Sequence, residues 1–215
     1  MYLRHLSLTN YRNYARLEID LQARIVVLQG QNAQGKTNFL ESIYFLATTK
    51  SPLASVDRQL ICWLAEQDVI PFARVSGLYT RTEQDHTLEI TLVKERANGD
   101  SPVLSALSAG PSGPAVVDES NLRRRVCLDG VPRRALDVLG QVNVVLFLPE
   151  DINLVAGSPR ERRHYLDVTL CQIDALYARS LSRYNRVLTQ RNALLRRVRD
   201  GQAHEGELDY WDEQL

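Results

Sequence analysis

One stretch of eight residues constrains this chain more than any other. Gly30-Gln31-Asn32-Ala33-Gln34-Gly35-Lys36-Thr37 completes the pattern G-x-x-x-x-G-K-[ST], a loop whose backbone amides are built to hold phosphate. Its setting agrees with that use. Ile25-Val26-Val27-Leu28 precedes it, continuously apolar and mostly β-branched, which predicts a strand covered on both faces. Asn38 to Thr48 follows, with Phe39, Leu40, Ile43 and Leu46 on one helical face. Each part of the loop has a physical task. The glycines let N–H groups turn inward, and the helix N-terminus adds partial positive charge. Lys36 is placed for the β- and γ-phosphates of a nucleotide such as ATP, and the Thr37 hydroxyl for Mg²⁺. The candidate nucleotide residues are therefore Gly30, Gln31, Asn32, Ala33, Gln34, Gly35, Lys36, Thr37 and Asn38.

Around this loop the pattern is that of an α/β chain. Leu6 and Leu8, then Leu17, Ile19 and Leu21, alternate with polar neighbours and predict an antiparallel strand pair turning through Asn10–Tyr14. Val69–Val75 and Thr87–Val93 predict two more strands. Residues 97–115 are rich in Gly, Pro, Ser and Ala and predict a long loop. Arg123–Cys127, Asp129-Gly130 and Val131–Ala135 predict a hairpin. Val142–Leu148 predicts a second fully buried strand, ended by Pro149. Ser158-Pro159-Arg160-Glu161 has the residues of a helix-starting capping box. From there Leu166, Leu170, Ile173, Tyr177, Leu181, Tyr184 and Leu188 predict one apolar seam over more than six turns, read as core packing. The expected division is a nucleotide-binding lobe over 1–148 and a helical lobe over 149–215.

The formal net charge is zero, but it is unevenly spread. Residues 123–199 hold 15 arginines against 7 acids, and residues 200–215 hold 6 acids and no base. Arginine's planar fork suits phosphate and carboxylate alike. The basic third is thus either an anion surface, nucleic acid included, or a solvated face with internal ion pairs. Arg123, Arg124, Arg125, Arg133 and Arg134 are the candidate DNA-contacting residues, with pairing to the acidic end as the rival. No apolar run reaches the length of a membrane span. Three scattered cysteines and four scattered histidines fit neither a disulfide framework nor a zinc site, so a reducing cytoplasm is the default.

A phosphate loop does not say what the nucleotide is for. Ala115–Glu119 imitates an apolar strand ending in Asp-Glu, and Leu107–Gly110 a signature sequence, but Pro111 and Pro114 interrupt the required helix. Val144–Phe147 is followed by Glu150 and Asp151 two residues late, behind Pro149. No catalytic carboxylate is assigned.

Several blocks together carry a resemblance. Leu8-Thr9-Asn10-Tyr11-Arg12-Asn13-Tyr14, GQNAQGKTN with Leu40-Glu41-Ser42-Ile43, Phe147–Asp151, Gly157–Asp167 and Gln190-Arg191-Asn192 resemble, in this order, the RecF family of bacterial recombination mediators. The resemblance implies a P-loop NTPase fold of the ABC/SMC-like ATPase head type, with antiparallel strands before the phosphate loop and a long helical arm. It implies binding of ATP and Mg²⁺, and of DNA at gaps or single-strand/double-strand junctions. It implies work with RecR and the RecO/RecA loading machinery, and an ATP-dependent homodimer. It also gives Arg12 a role on the nucleotide phosphates, the alternative being a turn residue paired with Asp20 or Glu18. Family members are longer and carry their signature and carboxylate strand later, so this chain is expected to be an N-terminal piece that hydrolyses ATP negligibly alone. Rival readings are a metabolic P-loop kinase and a non-catalytic nucleotide-binding module.

Overall fold

In the computed structural model, residues 1–94 and 122–214 are described. They form two compact units, Met1–Pro149 and Glu150–Leu215. The expectations for residues 97–115 and for Ala115–Glu119 and Leu107–Gly110 lie outside the described residues.

The first unit is built on a six-stranded antiparallel sheet. Strands β1 (Tyr2–Tyr11), β2 (Tyr14–Asp20), β3 (Phe72–Arg81), β4 (Gln84–Lys94), β5 (Leu122–Leu128) and β6 (Val131–Arg133) stand in the order β2-β1-β3-β4-β5-β6. Alternation decides the faces. Leu6, Leu8, Ala73, Val75, Leu88, Ile90, Leu92 and Val126 point one way and are buried, while their polar neighbours point the other way. The expected β1–β2 pair forms, with Leu8 opposite Leu17 and Leu6 opposite Ile19. The expected hairpin forms too, its Asp129-Gly130 turn at φ 51° and 75°, the twist that two-residue hairpins favour. The expected strand over Val69–Val75 lies further on: Val69 is exposed, and β3 starts at Phe72.

Helix α1 (Lys36–Thr48) covers the apolar face. Gly77 makes this approach possible, because a Cβ there would lie 2.4 Å from Leu46 Cδ2. The expected apolar face of α1 is rotated. Leu40 is exposed, while Phe39, Glu41, Ser42, Phe45 and Leu46 are buried. A buried arginine–carboxylate pair, described below, draws Glu41 inward.

Two expected strands are absent from the sheet. Ile25–Leu28 and Val142–Leu148 carry no strand among the described residues, save for a single bridge between Leu139 and Val142. Ile25, Val27, Val145 and Phe147 are each at least 80% exposed, whereas Leu28, Val142 and Val144 pack on the core. The reason is physical. A strand covered on both faces takes its structure from hydrogen-bonded neighbours, and no ladder joins these two to a strand among the described residues. Val142 is buried and Leu28 and Val144 are half-buried against the core, while Ile25, Val27, Val145 and Phe147 stay bare.

The second unit is helical. The capping sequence opens α2 (Pro159–Ile173), where the Ser158 N–H donates to Glu161 Oε2 at 2.7 Å. The long seam is not one helix. Asp174 leaves helical geometry at φ −128°, ψ 112°, and its carboxylate accepts from the Leu176 N–H at 2.7 Å, starting α3 (Ala175–Arg199). This is what an aspartate does at an N-cap. Nor is the seam core. Leu166, Leu170, Ile173 and Tyr184 are exposed, and the buried residues of these helices are Gln172, Ala178, Val187 and Leu194.

Candidate nucleotide site

The phosphate loop lies open to solvent and ends where α1 begins. Gly35 makes that junction at φ 97°, a left-handed conformation. Among the described residues no side chain caps the helix, and its first turn holds no acid. The first N–H groups of α1 are therefore offered to an anion, and the helix dipole favours one there. Lys36 Nζ reaches back across the loop and donates to the carbonyls of Gly30 at 2.8 Å and Gln31 at 2.6 Å. Its ammonium stands inside the curve of the loop. The donor set and the open helix end fit a nucleotide's phosphates. Thr37 follows in the first turn, its side chain without a hydrogen bond to a described residue.

The β1–β2 turn braces this loop. Tyr14 donates from its hydroxyl to the Gly35 carbonyl at 3.1 Å. Asn13 donates from Nδ2 to the Gln34 carbonyl at 3.4 Å and accepts at Oδ1 from Asn38 Nδ2 at 2.8 Å. The contact is close enough that a Cβ on Gly35 would lie 2.4 Å from Asn13 Nδ2. The turn is itself pinned from behind. The Arg12 N–H donates to the Leu60 carbonyl and the Cys62 N–H to the Asn10 carbonyl, both at 2.8 Å, while Asn10 and Arg12 hold positive φ.

Arg12 takes neither Asp20 nor Glu18, the turn partners considered from sequence. His5 bonds to both of those acids, and they raise its pKa, Asp20 the more strongly. Arg12 instead forks onto Glu41 of α1, from Nε to Oε2 at 2.9 Å and from Nη2 to Oε1 at 2.6 Å. Its Nη1 donates to the Gln59 carbonyl at 3.1 Å. Ser51 adds a short hydrogen bond to Glu41 Oε1. The Arg12 pKa is raised, chiefly by the hydrogen bond to Glu41. Beside these groups an open groove of about 460 Å³ is lined by Arg12, Asn13, Asn38, Gln59, Arg58 and the exposed Trp63, among others.

The structure thus brings Arg12, Gly35, Lys36 and Asn38 into one assembly. Sequence reasoning passed over Glu41, Ser51 and Tyr14. The available signal was a lone acid at Glu41 within the apolar run Phe39-Leu40-Glu41-Ser42-Ile43. Gln31, Asn32, Ala33 and Gln34 form the exposed rim of the loop.

The arginines singled out for DNA divide by strand parity. Arg123 and Arg125 stand on the sheet's solvent face, opposite Val93 and Thr91. Arg124 is on the core side, paired with Asp57 and 5.9 Å from the Phe45 ring centre. Arg133 and Arg134 are exposed at and just beyond β6.

Residues 1–101 match the AAA ATPase domain family. The whole chain is 45% identical to the DNA replication and repair protein RecF of Roseiflexus castenholzii and 44% identical to that of Herpetosiphon aurantiacus. It covers 52% and 53% of those proteins, so the chain spans about half the length of the curated relatives it matches. A solved structure of the recombination mediator protein RecF-ATP in the RecFOR pathway matches the whole chain with a TM-score of 0.78 and 26% identity, over 50% of its own length. The fold is that of the ABC/SMC-like ATPase head, and along its whole length the chain is similar to the N-terminal half of RecF proteins.

Proposed function

We propose that this chain is the nucleotide-binding part of an ATP-dependent DNA-binding protein of recombinational repair and replication restart. The observation that carries the reading is the phosphate loop: an uncapped helix N-terminus, a lysine inside the loop and a second turn clamped against it. In this reading Met1–Pro149 is the nucleotide lobe and Glu150–Leu215 the helical lobe. ATP supplies a triphosphate whose charge the loop amides and Lys36 hold. Thr37 carries the Mg²⁺ ligand role through its hydroxyl. Arg12 approaches the phosphates from the braced turn, and the groove beside Asn13 and Asn38 has room for base and ribose. The intact protein acts in the cytoplasm at gapped DNA or single-strand/double-strand junctions. It dimerises with ATP and works with RecR and the recombinase-loading proteins. Relatedness to RecF proteins along the entire chain favours this reading over a small-molecule kinase.

The test joins two measurements on one preparation: calorimetric titration with ATP and Mg²⁺, and anisotropy of labelled duplex, gapped and single-stranded DNA with and without ATP. The reading expects ATP binding and DNA binding that ATP strengthens. Failure to bind ATP at millimolar concentration contradicts it.

A further inference from the structure

The register of the sheet makes a row that no single segment of sequence reveals. Arg16 stands opposite Thr9, Thr9 opposite Arg74, Arg74 opposite Thr91, and Thr91 opposite Arg125. Five consecutive strands, β2-β1-β3-β4-β5, thus present arginine, threonine, arginine, threonine, arginine in one line. All five lie on the solvent face, since their strand neighbours Leu8, Val75, Ile90 and Val126 are in the core. Adjacent strands are about 4.8 Å apart, so the line runs roughly 19 Å with an arginine about every 10 Å. Arg123 extends the same face by one step along β5.

The contacts within the row are loose: the Thr91 hydroxyl donates to Glu89 Oε1 only at 3.4 Å. Arg16 is 79% exposed and reaches Glu18 only at 3.7 Å, and Arg74 is 44% exposed and reaches Glu89 only at 3.9 Å. Open pairs at such distances are worth little and yield readily to a stronger anion. Arg125 has no ion-pair partner among the described residues. The acids of this face, Glu18, Asp20, Asp85 and Glu89, stand on the side of the row away from Arg123, so the charge along the row itself is positive. A straight track of guanidinium forks separated by hydroxyl donors suits a repeating anion, because both groups bond phosphate oxygens without reading bases. Duplex DNA is the stiff polyanion that offers phosphates in a line of this length.

We infer that the solvent face of the sheet, along Arg16, Thr9, Arg74, Thr91 and Arg125, is a docking track for the phosphodiester backbone of duplex DNA. The inference rests on the reading of this chain as part of a DNA-binding protein. It moves the DNA surface away from the β5–β6 hairpin as a unit and onto a row drawn from five strands.

The test is anisotropy of the whole chain with a labelled duplex and with a single strand of equal length, each across a range of salt. Wild type is compared with Arg16→Gln/Arg74→Gln/Arg125→Gln and with the triple lysine variant. Each lost phosphate contact should lower the slope of log affinity against log salt by roughly 0.9. The glutamine variant should therefore lose roughly 2 to 3 in slope, and on the order of tenfold or more in duplex affinity. The lysine variant, which keeps the charges, should retain the slope. A folded glutamine variant with wild-type affinity and slope overturns the track but leaves DNA binding standing. Wild type that binds no duplex at low salt overturns the DNA reading and the track with it. Loss confined to the single strand overturns the assignment to duplex. Should the triple variant not fold, Arg16→Gln alone decides: a slope lower by about 0.9 supports the track and an unchanged slope refutes it.

Discussion

Arg12 grips Glu41 with two hydrogen bonds, at 2.9 and 2.6 Å, and the Glu41 side chain is wholly buried. The pair ties the β1–β2 turn to the second turn of α1, while Asn13 and Tyr14 of the same turn hold the phosphate loop at the start of that helix. A nucleotide arriving at the loop therefore meets a helix whose position is already fixed. Arg12 is 20% exposed, and its Nη1 adds a hydrogen bond to the Gln59 carbonyl at 3.1 Å.

Breaking that pair from the buried side should be costly. Glu41→Ala strands a guanidinium and removes the acceptor of Ser51, so we expect a loss of about 3 kcal/mol in urea unfolding. Arg12→Gln/Glu41→Gln should lose less than the two single changes together, because neither partner is left charged and alone. Additive losses would mean that the two residues stabilise the fold independently.

Gly35→Ala should abolish tight nucleotide binding without unfolding the sheet. The change places a Cβ against Asn13 at a φ of 97° that alanine resists. Removing the obstacle in Gly35→Ala/Asn13→Ala should restore little, since the backbone conformation remains unfavourable. Calorimetry with ATP distinguishes the cases. Full recovery in the double variant would assign the defect to the clash alone.

Much of this was legible in the sequence and some of it was not. The phosphate loop, the β1–β2 pair and the β5–β6 hairpin are local, set by glycines and by alternation over a few residues. Ile25–Leu28 and Val142–Leu148 were not legible as they stand, because apolar composition marks a central strand but cannot supply its neighbours. The break at Asp174 is hidden because the apolar spacing continues across it. Asp174 is nonetheless a good N-cap in the middle of the seam. The role of Glu41 is not legible in the sequence because its partner lies 29 residues away, on a turn whose conformation no periodicity reveals.

Strand parity gives the three hairpin arginines different fates. Arg124→Glu should set a negative charge against Asp57 and remove the cation over Phe45. We expect a loss of about 2 kcal/mol, seen as a melting temperature several degrees lower, with the salt slope of DNA binding unchanged. Arg125→Glu should do the reverse, lowering the slope while hardly moving the melting temperature. Equal effects of the two on DNA binding would contradict the division.

His5 should make the first two strands sensitive to pH. Its hydrogen bonds to Asp20 and Glu18 raise its pKa above the ordinary 6.5. The contribution is therefore complete below about pH 6.5 and is lost as pH rises through the higher folded value. The melting temperature of wild type should exceed that of His5→Gln most at about pH 5.5, with the gap narrowing by about pH 8.5. A gap that widens with pH would mean that the neutral imidazole is the stabilising form.

The central claim is that Lys36 holds nucleotide phosphate in a loop whose backbone cradle stands without it. The most direct measurement is calorimetric titration of wild type and Lys36→Ala with ATP and with AMP, each in the presence of Mg²⁺. The variant is expected to keep its fold, lose most of its affinity for ATP and change little toward AMP, which lacks the phosphates that the ammonium meets. Equal ATP affinity in wild type and variant would contradict it.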